Sequence, residues 1–185
     1  MATTSAGRIG SQGEASITAT VTAAALVLAA VLVILGNFFE EYSDTQNLVW
    51  GLGALGLSIG GLLLALRMVA VGRHLEAAGF TLLAIANVAL FAGPRASEAA
   101  DYVLYQLALV MGSGLLLVAV GGWGPSWARI AAALSGIGFA IMGVVTTAGA
   151  DSADFEWAIA IGYVPLVVAL VGWALDIYKG EESRA

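Results

Sequence analysis

The sequence predicts an all-α fold, a polytopic membrane bundle of six transmembrane helices, on three observations. Of the 185 residues, 60% are hydrophobic and only 11% are charged, whereas a soluble domain carries roughly 45–50% apolar and about 25% charged residues. The mean hydropathy is +0.93, the opposite of the low hydrophobicity and high charge that keep a chain disordered. Finally, six long stretches contain no Asp, Glu, Lys, Arg or His. Crossing a hydrocarbon core about 30 Å thick takes about 20 apolar residues, so short loops leave no room for a separate soluble domain.

Residues 1–16 form a polar N-terminal tail with Arg8 and Glu14, and the first span follows at 17–36. Its apolar run is longer than the 7–15 residues of a signal-peptide core, so it reads as a retained helix. The second span covers 48–66, the third and shortest 77–93, and the fourth 102–121. The fifth covers 130–149 and the sixth 157–175, ahead of a cytoplasmic tail at 176–185. Glycines in these spans would weaken a soluble helix by about 1 kcal/mol each. In lipid an unpaired backbone group costs several kcal/mol, so the helix prevails despite them.

Charge sets the orientation. Alternating the loops between two sides puts Arg8, Arg67, Arg73, Arg129, Lys179 and Arg184 together, with Arg95 alone opposite. By the positive-inside rule the basic side is cytoplasmic, and both termini lie there. Outside are eight acids, Glu40, Glu41, Asp44, Glu98, Asp101, Asp151, Asp154 and Glu156. Inside are five, Glu14, Glu76, Asp176, Glu181 and Glu182. The outer face therefore carries seven net negative charges and the inner face one net positive, giving the formal −6. Tryptophan favours the interface, and the spans place Trp50 and Trp157 at the outer belt and Trp123, Trp127 and Trp173 at the inner one. Tyr42, Tyr102, Tyr105 and Tyr178 follow the same pattern, whereas Tyr163 falls within the sixth span.

The spans also repeat. The odd helices end in Leu35-Gly36, Ala92-Gly93 and Ala148-Gly149, spaced 57 and 56 residues apart, and Gly61-Leu-Leu-Leu in the second span matches Gly114-Leu-Leu-Leu in the fourth. This spacing predicts three consecutive hairpins that turn at the outer face. Glu76, Gly79, Gly93, Pro94 and Gly112 mark the middle hairpin, with Gly136, Gly149 and Gly162 as counterparts in the last. In these features the chain resembles the HdeD-like small membrane proteins associated with acid stress. Only the middle loop carries the Pro of that pattern; Asn37-Phe38 and Ala150-Asp151 stand in the other two. The resemblance covers most of the chain and implies a stress-related role without catalytic residues.

The residues themselves offer little chemistry. No cysteine is present, which excludes disulfides, thiolates and Fe–S ligation. A pI near 4.5 argues against nucleic-acid binding, which wants a basic face. The only histidine, His74, lies beside Arg73 and Glu76, and one His cannot build a metal site. GxSxG, HExxH and P-loop motifs are missing, and the outer acids lack EF-hand spacing. No ionisable group lies at mid-membrane depth, where a catalytic or coupling residue would be kept. No cofactor is expected.

Polar residues in the spans are Ser58, Asn87, Gln106, Ser113, Ser135, Thr146 and Thr147, and interhelical hydrogen bonds account for most of them. Alternatively, Asn87, Gln106 and Tyr163 line a narrow polar path. Pro165 predicts a kink in the sixth helix that frees the carbonyl of Ile161; a broken helix of this kind can also build a binding site. Gly56 and Gly60 form a GxxxG pair, with Ala54 and Ser58 a parallel small-residue pair, for close packing within the bundle or against a second copy. The expectation is a non-catalytic protein of the cytoplasmic membrane, a stress-related or accessory subunit in contact with the lipid bilayer and with a membrane-protein or homo-oligomeric partner. The alternative is a channel or facilitator for a small uncharged solute.

Overall fold

The computed structural model describes residues 5–40, 43–92, 98–148 and 156–182. They form six α-helices, α1 (Ser5–Gly36), α2 (Asp44–Ala70), α3 (His74–Ala92), α4 (Glu98–Gly121), α5 (Ser126–Thr147) and α6 (Glu156–Glu182), with no strand among the described residues. Among the described residues five segments are long and apolar enough to cross a membrane: Ser16–Gly36, Asp44–Ala70, His74–Phe91, Ser126–Thr147 and Ala160–Gly180. In α4 the part of the apolar stretch that is described runs Gln106–Gly121. These are the helices of a membrane protein. Glu41, Tyr42, Gly93, Pro94, Arg95, Gly149, Asp151, Asp154 and Arg184 lie outside the described residues, as do the side chains of Arg8, Glu14, Glu98, Asp101, Tyr102, Tyr105, Glu156, Glu181 and Glu182.

The helices outrun the apolar spans because hydropathy ends at the first charge, whereas a helix ends where its backbone is capped or turned. At its start, α1 runs back to Ser5, into the polar tail; at the other end of the chain, α6 runs on to Glu182. Ser43 opens α2 as an N-cap whose Oγ accepts from the Gln46 amide at 3.2 Å. Gly72, Gly122 and Gly124 have φ of 75°, 85° and 87°, a region open to Gly and strained for other residues. They make the two short turns, α2 to α3 and α4 to α5, and Pro125 then caps α5. Where α1 meets α2, the Gln46 side chain donates to the Gly36 carbonyl at 3.2 Å. Trp50 lies directly over Gly36, leaving no room there for a Cβ.

Each helix packs on its neighbours in sequence, and α6 packs on α1, so the six close into a ring. Neighbours run antiparallel: Gly53 meets Leu32 while Gly60 meets Leu26, and Gly136 meets Leu116 while Gly143 meets Leu109. The ring is filled by Leu26, Leu64, Leu83, Met111, Leu115, Phe139 and Leu170, all buried. Phe80 on α3 and Trp173 on α6 meet across it edge to face, 5.0 Å between centroids, and Trp123 contacts the other side of Phe80 at 5.7 Å. Trp173 is 0% exposed, so it is a core side chain and not a member of the inner belt. Its depth along the chain resembles that of a belt residue, but it sits on the inward face of α6. Outward, Ile17, Leu28, Leu62, Leu66, Ile85 and Val164 are exposed. An apolar surface of this extent is unsuited to water and suited to lipid.

Candidate functional site

Most of the polar side chains in the spans bond to their own helix. Ser58 donates to the Ala54 carbonyl at 2.8 Å, Asn87 to Leu83 at 2.8 Å, Ser113 to Leu109 at 2.9 Å, Thr146 to Met142 at 2.9 Å and Thr147 to Gly143 at 2.6 Å. The expectation of interhelical bonds is corrected in these five cases. A short hydroxyl or amide reaches the carbonyl four residues back without any partner helix.

The three residues of the expected polar path occupy different radial positions. Asn87 is 4% exposed, inside the ring. Gln106 is exposed and shares the outward stripe of α4 with Leu109, Ser113 and Val120, opposite the buried Met111. Tyr163 is half-buried, its ring edge to face with Phe139 at 4.9 Å. Gln106 therefore does not join Asn87 in the interior.

The most developed polar contact lies between α5 and α6. Ser135, 0% exposed, donates from Oγ to the Gly162 carbonyl at 2.5 Å. Pro165 lies inside α6, and the helix continues past it. Pro165 lacks the N–H that would serve the Ile161 carbonyl, yet the hydroxyl reaches the next carbonyl along. Gly162 is buried against α5, and the backbone of Ile161 also lies beside Gly138. The helix backbones also come close: a Cβ on Gly138 would lie 2.7 Å from the Gly162 nitrogen, and one on Gly162 would lie 2.9 Å from Phe139. Small residues at the crossing admit the hydrogen bond.

No protein-family model, curated protein or solved structure matches this chain.

A second polar group lies at the other end of α3. Arg73 Nη1 and Glu76 Oε1 are 2.7 Å apart, with the arginine side chain 43% exposed and the glutamate side chain 5% exposed. Glu76 fits against Gly121, where a Cβ would fall 2.5 Å from its Cγ and Cδ. Reading the chain as a loop followed by a span gives the ion pair but not this burial, which depends on the glycine of another helix. His74 beside it is exposed. Among the described residues no three of His, Asp and Glu gather into a group able to hold a metal.

The glycines of α2 face its neighbours. Gly56 sits on Ala25 and Ala29, and Gly60 on Leu26, all in α1, while Gly61 sits on Phe80 and Ala84 in α3. Ala54 is half-buried and Ser58 buried on the same helix. This small-residue face is occupied within the chain.

Proposed function

We propose that this chain is a non-catalytic, multi-pass protein of the cytoplasmic membrane that acts as an accessory or structural subunit. In this reading six spans form three consecutive hairpins, with both termini inside. The filled ring carries the proposal. Its interior is made of Leu, Met, Phe and Trp side chains, and the amide of Asn87 is engaged by its own helix. With Gln106 on the outside, these placements favour a structural bundle over a solute path. The stress-related role follows from the HdeD-like resemblance.

The non-catalytic reading is supported by the placement of charge. Among the described residues the buried charged side chain is Glu76, close to a helix end and paired with Arg73. A catalytic or coupling charge would be expected deeper. The orientation is supported by the basic residues at the two glycine turns, Arg73 beside the first and Arg129 beside the second.

Purified protein in liposomes is expected to leave the flux of water, urea and glycerol at the level of empty vesicles. Flux above that level that Asn87→Leu removes would overturn the structural reading in favour of a facilitator. Orientation is tested separately by cysteine labelling against a background free of thiols. In intact cells an impermeant reagent should reach Phe38→Cys and spare Val71→Cys; the reverse pattern would invert the topology.

A further inference from the structure

An open groove of about 330 Å³ lies between α4 and α5 beside their glycine turn. Leu116 and Val120 line it from α4, and Ser126, Arg129, Ile130 and Ala133 from α5. It opens on the outward side of the ring, since Val120 is 77% exposed and Ile130 62% exposed. Its walls are therefore apolar and face lipid, and one cation is set among them.

That cation lacks acceptors. Arginine stays charged and carries five N–H donors. Among the described residues the Arg129 side chain makes a single hydrogen bond, from Nη1 to the Gly122 carbonyl at a long 3.5 Å, and no ion pair. Its Nε is buried with no partner at all. An unpaired donor out of water costs about 1–3 kcal/mol, more when charged, so these donors suit an anionic acceptor. The start of α5 adds to the demand. Its N-cap is Pro125, which provides no side-chain hydrogen bond to the first turn, and a helix N-terminus favours negative charge.

We propose that this groove binds the phosphate headgroup of an anionic membrane phospholipid. Arg129 and Ser126 hold the phosphate, and an acyl chain lies along Leu116, Val120, Ile130 and Ala133. A guanidinium forms paired, charge-assisted bonds to phosphate oxygens, and basic pockets between helices near a membrane surface take lipid headgroups. The apolar walls select a phospholipid over free phosphate, because only the lipid covers them. The proposal rests on the chain's being a membrane protein, and not on its orientation or on the structural reading.

The test uses full-length protein delipidated in neutral detergent, with phosphatidylglycerol or phosphatidylcholine titrated in and bound lipid counted by native mass spectrometry. The protein is expected to bind phosphatidylglycerol about ten-fold more tightly than phosphatidylcholine, whose choline cation offsets the phosphate charge that Arg129 would pair. Arg129→Gln should abolish most of that preference, and the charge-matched control Arg67→Gln should keep it. Ala133→Phe, which fills the groove without removing charge, should lower phosphatidylglycerol binding as Arg129→Gln does, and it decides the matter if Arg129→Gln fails to fold. Unchanged preference in Arg129→Gln or Ala133→Phe, or an equal loss in Arg67→Gln, would overturn the site. Because binding is read in detergent, its failure is separate from any result on flux or topology.

Discussion

The hydroxyl of Ser135 on α5 donates to the carbonyl of Gly162 on α6 at 2.5 Å, three residues before Pro165 in the sequence. Like the Gln46 side chain on the Gly36 carbonyl, it reaches across to another helix. The bond coincides with a close approach of the α5 and α6 backbones, at Gly138 and Gly162. Proline removes one hydrogen bond from α6, and the neighbouring helix supplies one at the adjacent carbonyl. This part of α6 is therefore held by α5 as well as by its own backbone.

Ser135→Ala is expected to destabilise the bundle by about 0.6 to 1.7 kcal/mol, the range measured for interhelical hydrogen bonds in membranes. Equilibrium unfolding in mixed micelles measures it. Ser113→Ala, which loses only a local bond on an exposed face, should change stability by well under half that amount.

Gly138→Ala places a Cβ 2.7 Å from the Gly162 nitrogen, a backbone atom that cannot swing aside. The helices must separate, and the expected loss is about 1–3 kcal/mol, as for overpacked cores. Gly180→Ala meets nothing within 4 Å and should be neutral or slightly stabilising in the same assay, since Ala favours the helix by about 1 kcal/mol.

Gly121 and Glu76 should be energetically coupled. Gly121→Ala drives a methyl group against the Glu76 side chain and is expected to cost about 1–2 kcal/mol. In a Glu76→Ala background the same change should cost under about 0.5 kcal/mol. The double-mutant cycle therefore yields a coupling of roughly 0.5–2 kcal/mol, and additive costs would refute the contact.

Trp173→Ala empties the centre of the ring next to Phe80 and should cost about 3–5 kcal/mol, as for aromatic deletions in cores. Trp157, half of whose surface is exposed, should tolerate the same change with a loss under about 1 kcal/mol. Trp173→Phe keeps much of the packing and removes the unpartnered Nε1, so its cost should be the smaller of the two Trp173 variants.

The positions of the helices along the chain were legible in the sequence and radial position was not. Charge-free runs and their lengths predict where helices cross, because charge is costly in lipid. The same reasoning cannot tell the inward face of a helix from the outward one, since core and lipid are both apolar. Gln106 and Trp173 show the consequence. The first, on the alternative of a polar path, would lie inside and is outward, and the second was expected at the interface and is fully buried. Glycine is the residue type that does report facing, because it is kept where backbones approach. Gly56 and Gly60 could be read in that way, leaving open only whether the partner was α1 or another copy. Glu76 and Arg129 could not, because their surroundings come from the turn after α4, distant in sequence from Glu76.

The contact between α1 and α6 closes the ring between the two helices farthest apart in the chain. In synthesis this seam can form only after the last helix has been made. Until then the inward face of α1, with Ala19, Leu26, Ala29 and Ala30, is covered on one flank by α2 and on the other by lipid or by the insertion machinery. A nascent chain halted ahead of Glu156 would lack the α1–α6 contact and be an open arc with two free edges. Such an arc could recruit a sixth helix from another molecule, so premature termination would favour association between chains, while completion of α6 withdraws both edges.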